Sequence, residues 1–191
     1  MLVVIEGIDM SGKSTQTKML KERLIETGGT VETFHFPTKL IFGKEIYRHY
    51  NGEVSYTQEE LELLHTIDKM SCQAYIEHCL SGNDFLLLDR YKLSQFVYAI
   101  SQGVDEEWAK ALISRMIEPD IGFLLDLPVE EATRRKEMKD KNESNYELLK
   151  KTRRNYFRTA MEWGYKIIDA NRSASEINDD IFYTIKYLEG Y

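Results

Sequence analysis

At 191 residues, 42% hydrophobic and 30% charged, the chain is long enough for a single domain, residues 1–191, with a sizeable core. No apolar run approaches the ~20 residues of a membrane span, and no basic stretch followed by a long apolar one opens the chain, so a cytoplasmic protein is expected. A formal net charge of −7 argues against broad polynucleotide binding and confines any phosphate site to a local basic pocket.

The first element is an apolar strand, Leu2 to Glu6. Directly after it, Gly7-Ile8-Asp9-Met10-Ser11-Gly12-Lys13-Ser14 satisfies GxxxxGK[ST] at every fixed position. Gly7 and Gly12 allow a tight loop whose amide N–H groups converge on a phosphate, and the helix that follows adds the positive end of its dipole. Lys13 supplies a mobile charge for the outer phosphates, and Ser14 a hydroxyl for Mg²⁺. Thr15 to Thr27 carries Met19, Leu20 and Leu24 on a helical stripe, so the motif has a strand before it and a helix after it. That context points to a bound nucleoside triphosphate.

Further strands are expected at Thr30 to Phe34, Phe85 to Asp89, Ile121 to Asp126 and Lys166 to Asp169. Between them lie helical patterns at Gly43 to Tyr50, Thr57 to Leu80, Leu93 to Ser101, Glu106 to Ile117, Val129 to Lys139, Ser144 to Trp163 and Ser175 to Leu188. Thr57 with Glu60, and Ser173 with Glu176, have capping-box spacing. Such alternation is the mark of an α/β protein with a parallel sheet covered on both faces. Cys72 and Cys79 fall about 10 Å apart along one expected helix, too far for a disulfide and without metal-ligand spacing, and they read as core thiols in a reducing compartment. The strand Phe85-Leu86-Leu87-Leu88 delivers Asp89 and Arg90 to the edge where ligands collect in such sheets. Asp89 suits a Mg²⁺ shell, and Arg90 suits bidentate capture of a phosphate.

Taken together, these residues resemble the thymidylate kinases, within the P-loop nucleoside monophosphate kinases. The family's opening motif is matched by Val3 to Asp9 and Ser11 to Gln16, with Met10 in place of a small or basic residue. Its later motifs are matched by Asp89-Arg90-Tyr91 with Ser94, by Pro119-Asp120 with Leu125-Asp126, and by Asp169-Ala170. The resemblance implies a P-loop NTPase fold, a five-stranded parallel sheet flanked by helices on both faces, with a short lid at about 130–145. It also implies transfer of the γ-phosphoryl group of ATP, with Mg²⁺, to the 5′-phosphate of a pyrimidine deoxynucleotide, and a homodimer formed through the helix bearing Cys72 and Cys79 or through the one at Leu93 to Ser101.

Residue by residue, the resemblance gives Lys13, Ser14 and Thr15 the donor phosphates and metal, Arg90 the acceptor phosphate, and Asp9 the acceptor's 3′-hydroxyl. Phe36-Pro37 matches the turn after strand two, with Lys39 near the acceptor phosphate. His65 and Lys69 stand where relatives carry a stacking aromatic and a base-reading arginine, Gln95 where some read the base edge, and Tyr98 where an aromatic crowds the sugar's 2′ side. Because Met10 and Ser11 leave the loop without a basic residue, the family pattern puts the catalytic arginine in the lid, Arg135 ahead of Arg134. The Ala170-Asn171-Arg172 loop matches the adenine cover. Lysine lacks the planar fork of arginine, and imidazole is a smaller stacking surface than a phenyl ring. Thymine, a substituted uracil or another base therefore fits the altered residues, and a deoxynucleoside kinase is the alternative enzyme class.

Overall fold

The computed structural model of the chain describes residues 1–137 and 146–190. Five parallel strands, β1 (Leu2–Glu6), β2 (Val31–His35), β3 (Phe85–Asp89), β4 (Ile121–Asp126) and β5 (Lys166–Asp169), form one sheet in the order β2-β3-β1-β4-β5. β1 and β3 are buried along their whole length, which is why they read as unbroken apolar runs rather than alternating ones. Register aligns Ile5 with Asp89 and Glu6 with Leu124, so the ends of β1, β3 and β4 meet at one edge. The order changes direction around β1, and a crevice opens there above the carboxyl ends.

Nine helices are seen among the described residues: α1 (Lys13–Glu26), α2 (Ile41–Tyr50), α3 (Gln58–Met70), α4 (Gln73–Gly82), α5 (Lys92–Ser101), α6 (Glu106–Ile113), α7 (Val129–Glu137), α8 (Tyr146–Glu162) and α9 (Ala174–Leu188). α1 packs on β1, β2 and β3 and against α9, while α8 lies on β4 and β5 and packs against α5. Both expected capping boxes are formed, Thr57 with Glu60 and Ser173 with Glu176. Among the described residues no helix is long and apolar enough to cross a membrane.

One expected helix is two. The pattern from Thr57 to Leu80 breaks at Ser71 and Cys72, where side chains compete for backbone groups. Ser71 Oγ donates to the Asp68 carbonyl at 2.9 Å, and Gln73 Nε2 donates to the Lys69 carbonyl at 2.8 Å. Cys72 becomes the N-cap of α4, and both cysteines are buried free thiols. The helix expected to run to Ile117 stops at Ile113, and the one expected from Gly43 starts two residues earlier. On α8, Tyr156 is buried but Phe157 is exposed, and Arg153 and Arg158 face acids, Asp126 and Glu106. Of the expected lid, α7 is described to Glu137; residues 138–145, Lys139 among them, lie outside the described residues.

Candidate active site

The turn from β1 into α1 carries no side-chain cap. Gly12 is the N-cap at φ +97°, and no acidic residue stands in the first helical turn, so the leading amides are left for a ligand. Gly7 is required by close approach as well as by its φ of +149°, because a Cβ there would lie 2.6 Å from Ser11 Oγ and 2.7 Å from the Leu125 carbonyl oxygen. Met10 also adopts a positive φ, +66°. Lys13 folds back over this turn and donates to the Ile8 carbonyl at 2.8 Å. Burial lowers its ammonium to about 7, with the Arg90 charge adding to that and Asp9 and Asp89 opposing it.

Across the sheet edge, Ser14 Oγ donates to Asp89 Oδ2 at 2.5 Å, and His35 Nδ1 lies 3.5 Å from the same oxygen. Asp89 Oδ1 is buried with no partner among the described residues. Burial raises the Asp89 carboxyl, but the His35 and Ser14 bonds and the Lys13 charge outweigh it, so the group sits below its ordinary range. A hydroxyl beside a carboxylate with a free buried oxygen is a donor set suited to Mg²⁺, which takes few protein ligands and completes its shell with phosphate and water.

Arg90 follows at φ +68°, a conformation that turns its side chain back over the edge. Its guanidinium pairs with Asp9 and also reaches Ser94 Oγ at 3.3 Å and the Gly7 carbonyl at 3.5 Å. Glu6 secures that turn from below. Fully buried, its carboxylate accepts from Tyr91 N at 2.8 Å, from Ser94 N at 3.2 Å and from Ser94 Oγ. Sequence reasoning placed Glu6 in a motif without a task; as the last residue of a buried strand it was an acid with no exposed face, which is the signal that marked it.

From Asp9 and Arg90 a cavity of about 420 Å³ runs away from the phosphate loop. Phe36, Pro37, His65, Lys69, Ser94, Gln95 and Tyr98 line it, bringing these seven sequence-predicted residues together. Lys39 is exposed and does not line it. Tyr50, Glu62 and, from α8, Leu148, Leu149 and Thr152 line it too, and were not foreseen. His65 Nε2 is 2.9 Å from the Tyr50 hydroxyl, and burial holds the imidazole well below its ordinary range and hence neutral. Lys69 Nζ lies 5.4 Å from the centre of the Phe36 ring, and burial lowers its ammonium to about 8.

The two lid arginines part company. Arg135 donates to the Met10 carbonyl at 3.1 Å and approaches the Ala170 carbonyl at 3.5 Å, so it spans the phosphate loop and the β5 loop. Arg134 is exposed and reaches only Glu131 among the described residues, an acid to which Arg135 Nε also donates at 2.9 Å. Arg172 is turned onto the Asp169 carbonyl and the Asp180 carboxylate. Of the two helices considered for a partner copy, α5 is buried along most of its length, whereas α3 and α4 expose Leu63, Ile67, Met70 and Tyr75.

A sheet edge with a triphosphate loop on one strand end, an arginine on the next and a nucleoside-sized cavity beyond it is the arrangement of a nucleoside monophosphate kinase, a phosphotransferase that moves a phosphoryl group from one nucleotide to the phosphate of another. The thymidylate kinase family model matches residues 5–181, and the chain belongs to that family, whose phosphate donor is ATP. The probable thymidylate kinase of Methanocaldococcus jannaschii is 33% identical over 189 residues, covering 98% of this chain and 97% of its own. That of Thermococcus kodakarensis is 33% identical over 208 residues, covering 100% and 99%. Among solved structures, thymidylate kinase from Candida albicans superposes with a TM-score of 0.83 at 23% identity over 98% of this chain and 92% of that one, a likeness of fold.

Proposed function

We propose that the protein transfers the γ-phosphoryl group of ATP, in the presence of Mg²⁺, to the 5′-phosphate of dTMP, giving dTDP. The observation that carries this reading is the single edge shared by the Lys13 loop and the Arg90 guanidinium, with the cavity opening on the Arg90 side. Transfer between two phosphates is hindered chiefly by charge and misalignment, so positioned cations supply most of the catalysis. Lys13, the amides of Met10 to Gly12, and Thr15 hold the donor phosphates; Ser14 and Asp89 would hold the metal, which would neutralise charge on the donor phosphates. Arg90 exchanges Asp9 for the acceptor phosphate and brings it in line, which frees Asp9 for the sugar's 3′-hydroxyl. Arg135, already at the Met10 carbonyl, is the lid cation nearer the transferring group, and Arg134 stands behind it. Phe36, Pro37, His65, Lys69, Ser94, Gln95 and Tyr98 enclose the nucleoside, Lys39 guides the acceptor phosphate from outside, and Ala170 with Arg172 flanks the adenine.

A coupled ADP-release assay tests the reading on dTMP, dUMP, 5-substituted deoxyuridylates, dCMP and thymidine. Turnover on dTMP but not on thymidine is expected. Phosphorylation of thymidine with none of dTMP would make the enzyme a deoxynucleoside kinase, and no turnover on any monophosphate would refute the proposal.

A further inference from the structure

Three polar groups line one side of the cavity, and the hydrogen-bonding role of the middle one is fixed before any ligand arrives. Gln95 Nε2 donates to Thr66 Oγ1 at 2.8 Å and to the Glu62 carbonyl at 3.3 Å. A carbonyl can only accept, so the amide nitrogen must face it, and Oε1 is left as a buried acceptor with no partner among the described residues. Lys69, lining the same cavity, can only donate. Glu62 is 2% exposed; Gln58 donates to its Oε1 at 2.8 Å, and its Oε2 is buried with no partner among the described residues. A buried carboxyl oxygen left without a partner is costly, so a ligand atom is its natural complement.

The order of these groups matters. Glu62 and Lys69 are seven residues apart on α3 and share one face, and Gln95, tied to the Glu62 carbonyl and to Thr66, sits between them. A uracil-type ring presents carbonyl, N3–H, carbonyl along its edge, whereas a cytosine-type ring places a lone pair at N3, against the Gln95 acceptor. We propose that Glu62 reads the base as a neutral carboxylic acid, its O–H donating to one ring carbonyl while Gln95 accepts from N3–H and Lys69 donates to the other carbonyl. The inference rests on the cavity being the acceptor-nucleotide site.

Burial pushes the Glu62 carboxyl up to about 7, opposed by the Lys69 charge and the Gln58 bond. The other groups lining the cavity with it are Tyr50 from α2, His65 on α3, Tyr98 from α5, Thr152 from α8, and Arg90 and Asp9 at the mouth. His65 is neutral, Lys69 and Arg90 favour the ionised acid, and Asp9 opposes it. The sign follows: above pH 7 the free site must take up a proton at Glu62 to bind, so affinity falls as pH rises, and only near pH 8 does loss of charge at Lys69 add to the fall.

Calorimetric Kd values for dTMP between pH 6 and 8.5, on the full chain, test this without requiring turnover. The parent protein should weaken several-fold between pH 7 and 8 and bind dCMP at least about 100-fold less tightly than dTMP or dUMP. Glu62→Leu should weaken dTMP about tenfold. Glu62→Gln, which keeps a donor, should recover to within about threefold of the parent at pH 6.5 and hold that affinity to near pH 8. Thermal melting of both variants checks the fold, and the glutamine variant decides the matter if the leucine one unfolds. Glu62→Gln as weak as Glu62→Leu, or parent affinity rising above pH 7, would mean Glu62 acts as an anion and would overturn the proposal. Unchanged binding in Glu62→Leu would overturn it as well, as would a parent that binds no dTMP. Tight dTMP binding with the expected pH profile but no phosphoryl transfer would support the role of Glu62 and sink the kinase reading alone.

Discussion

Replacing Lys13 by alanine should lower kcat by about 10³-fold, equivalent to about 4 kcal/mol of transition-state stabilisation, while leaving the fold intact. Lys13 is 7% exposed, and among the described residues the one hydrogen bond of its ammonium is to the Ile8 carbonyl, at 2.8 Å. Burial already costs the charged form enough to bring its pKa to about 7, so deletion relieves a desolvated cation as well as removing a hydrogen bond. Stability should therefore change little, and thermal melting should show it. On the proposed mechanism the loss falls on the reaction, because the lysine would stand where charge accumulates on the transferring group and water could not replace it. Near-normal kcat in Lys13→Ala would refute the assignment of this loop to the donor.

The second large effect is at Arg90, and its signature differs. Arg90→Lys should reduce kcat/KM for the monophosphate by about 10²-fold or more, while KM for ATP moves less than about threefold. A lysine keeps the charge but not the two parallel donors that fix a phosphate's orientation. Because Arg90 is also held by Ser94 Oγ and the Gly7 carbonyl, the loss should reach the in-line geometry and lower kcat as well as raising KM. Steady-state kinetics with each substrate varied in turn makes the distinction. Equal damage to both substrates' constants would place Arg90 in a structural role, and no damage would remove it from the site.

Much of the fold could be read from the sequence because its elements report on themselves. Four apolar residues closed by Glu6 or Asp89 and bounded by turn signals read as an internal strand, and Thr57-x-x-Glu60 announces its helix. The phosphate loop was equally legible, since its glycines, lysine and serine are contiguous in the chain and each answers a backbone need. The break between α3 and α4 was not, because it depends on Gln73. That side chain caps the Lys69 carbonyl and also accepts from Ile117 N at 2.9 Å, a partner forty-four residues away. The cavity was legible only in part for the same reason. His65 and Lys69 were found through the family resemblance, which their spacing of four on a helix supports, but Tyr50 and Leu149 reach the cavity from helices whose packing no local pattern encodes. Glu62 had a signal that went unused: it stands three residues before His65 and seven before Lys69, on the face that carries both. The preference for Arg135 over Arg134 gained its physical ground only with the contact to the Met10 carbonyl.

The central claim is that two nucleotides sit end to end, phosphate to phosphate, between the loop at Lys13 and the guanidinium of Arg90. It is tested most directly by calorimetry with one molecule in which adenosine and thymidine are joined through five phosphates. The account predicts one such molecule per chain, bound at least about 100-fold more tightly than either ATP or dTMP because the second contact is made at no further cost in translational freedom, and displacing both. Binding no tighter than that of ATP, with dTMP still able to bind alongside, would contradict it.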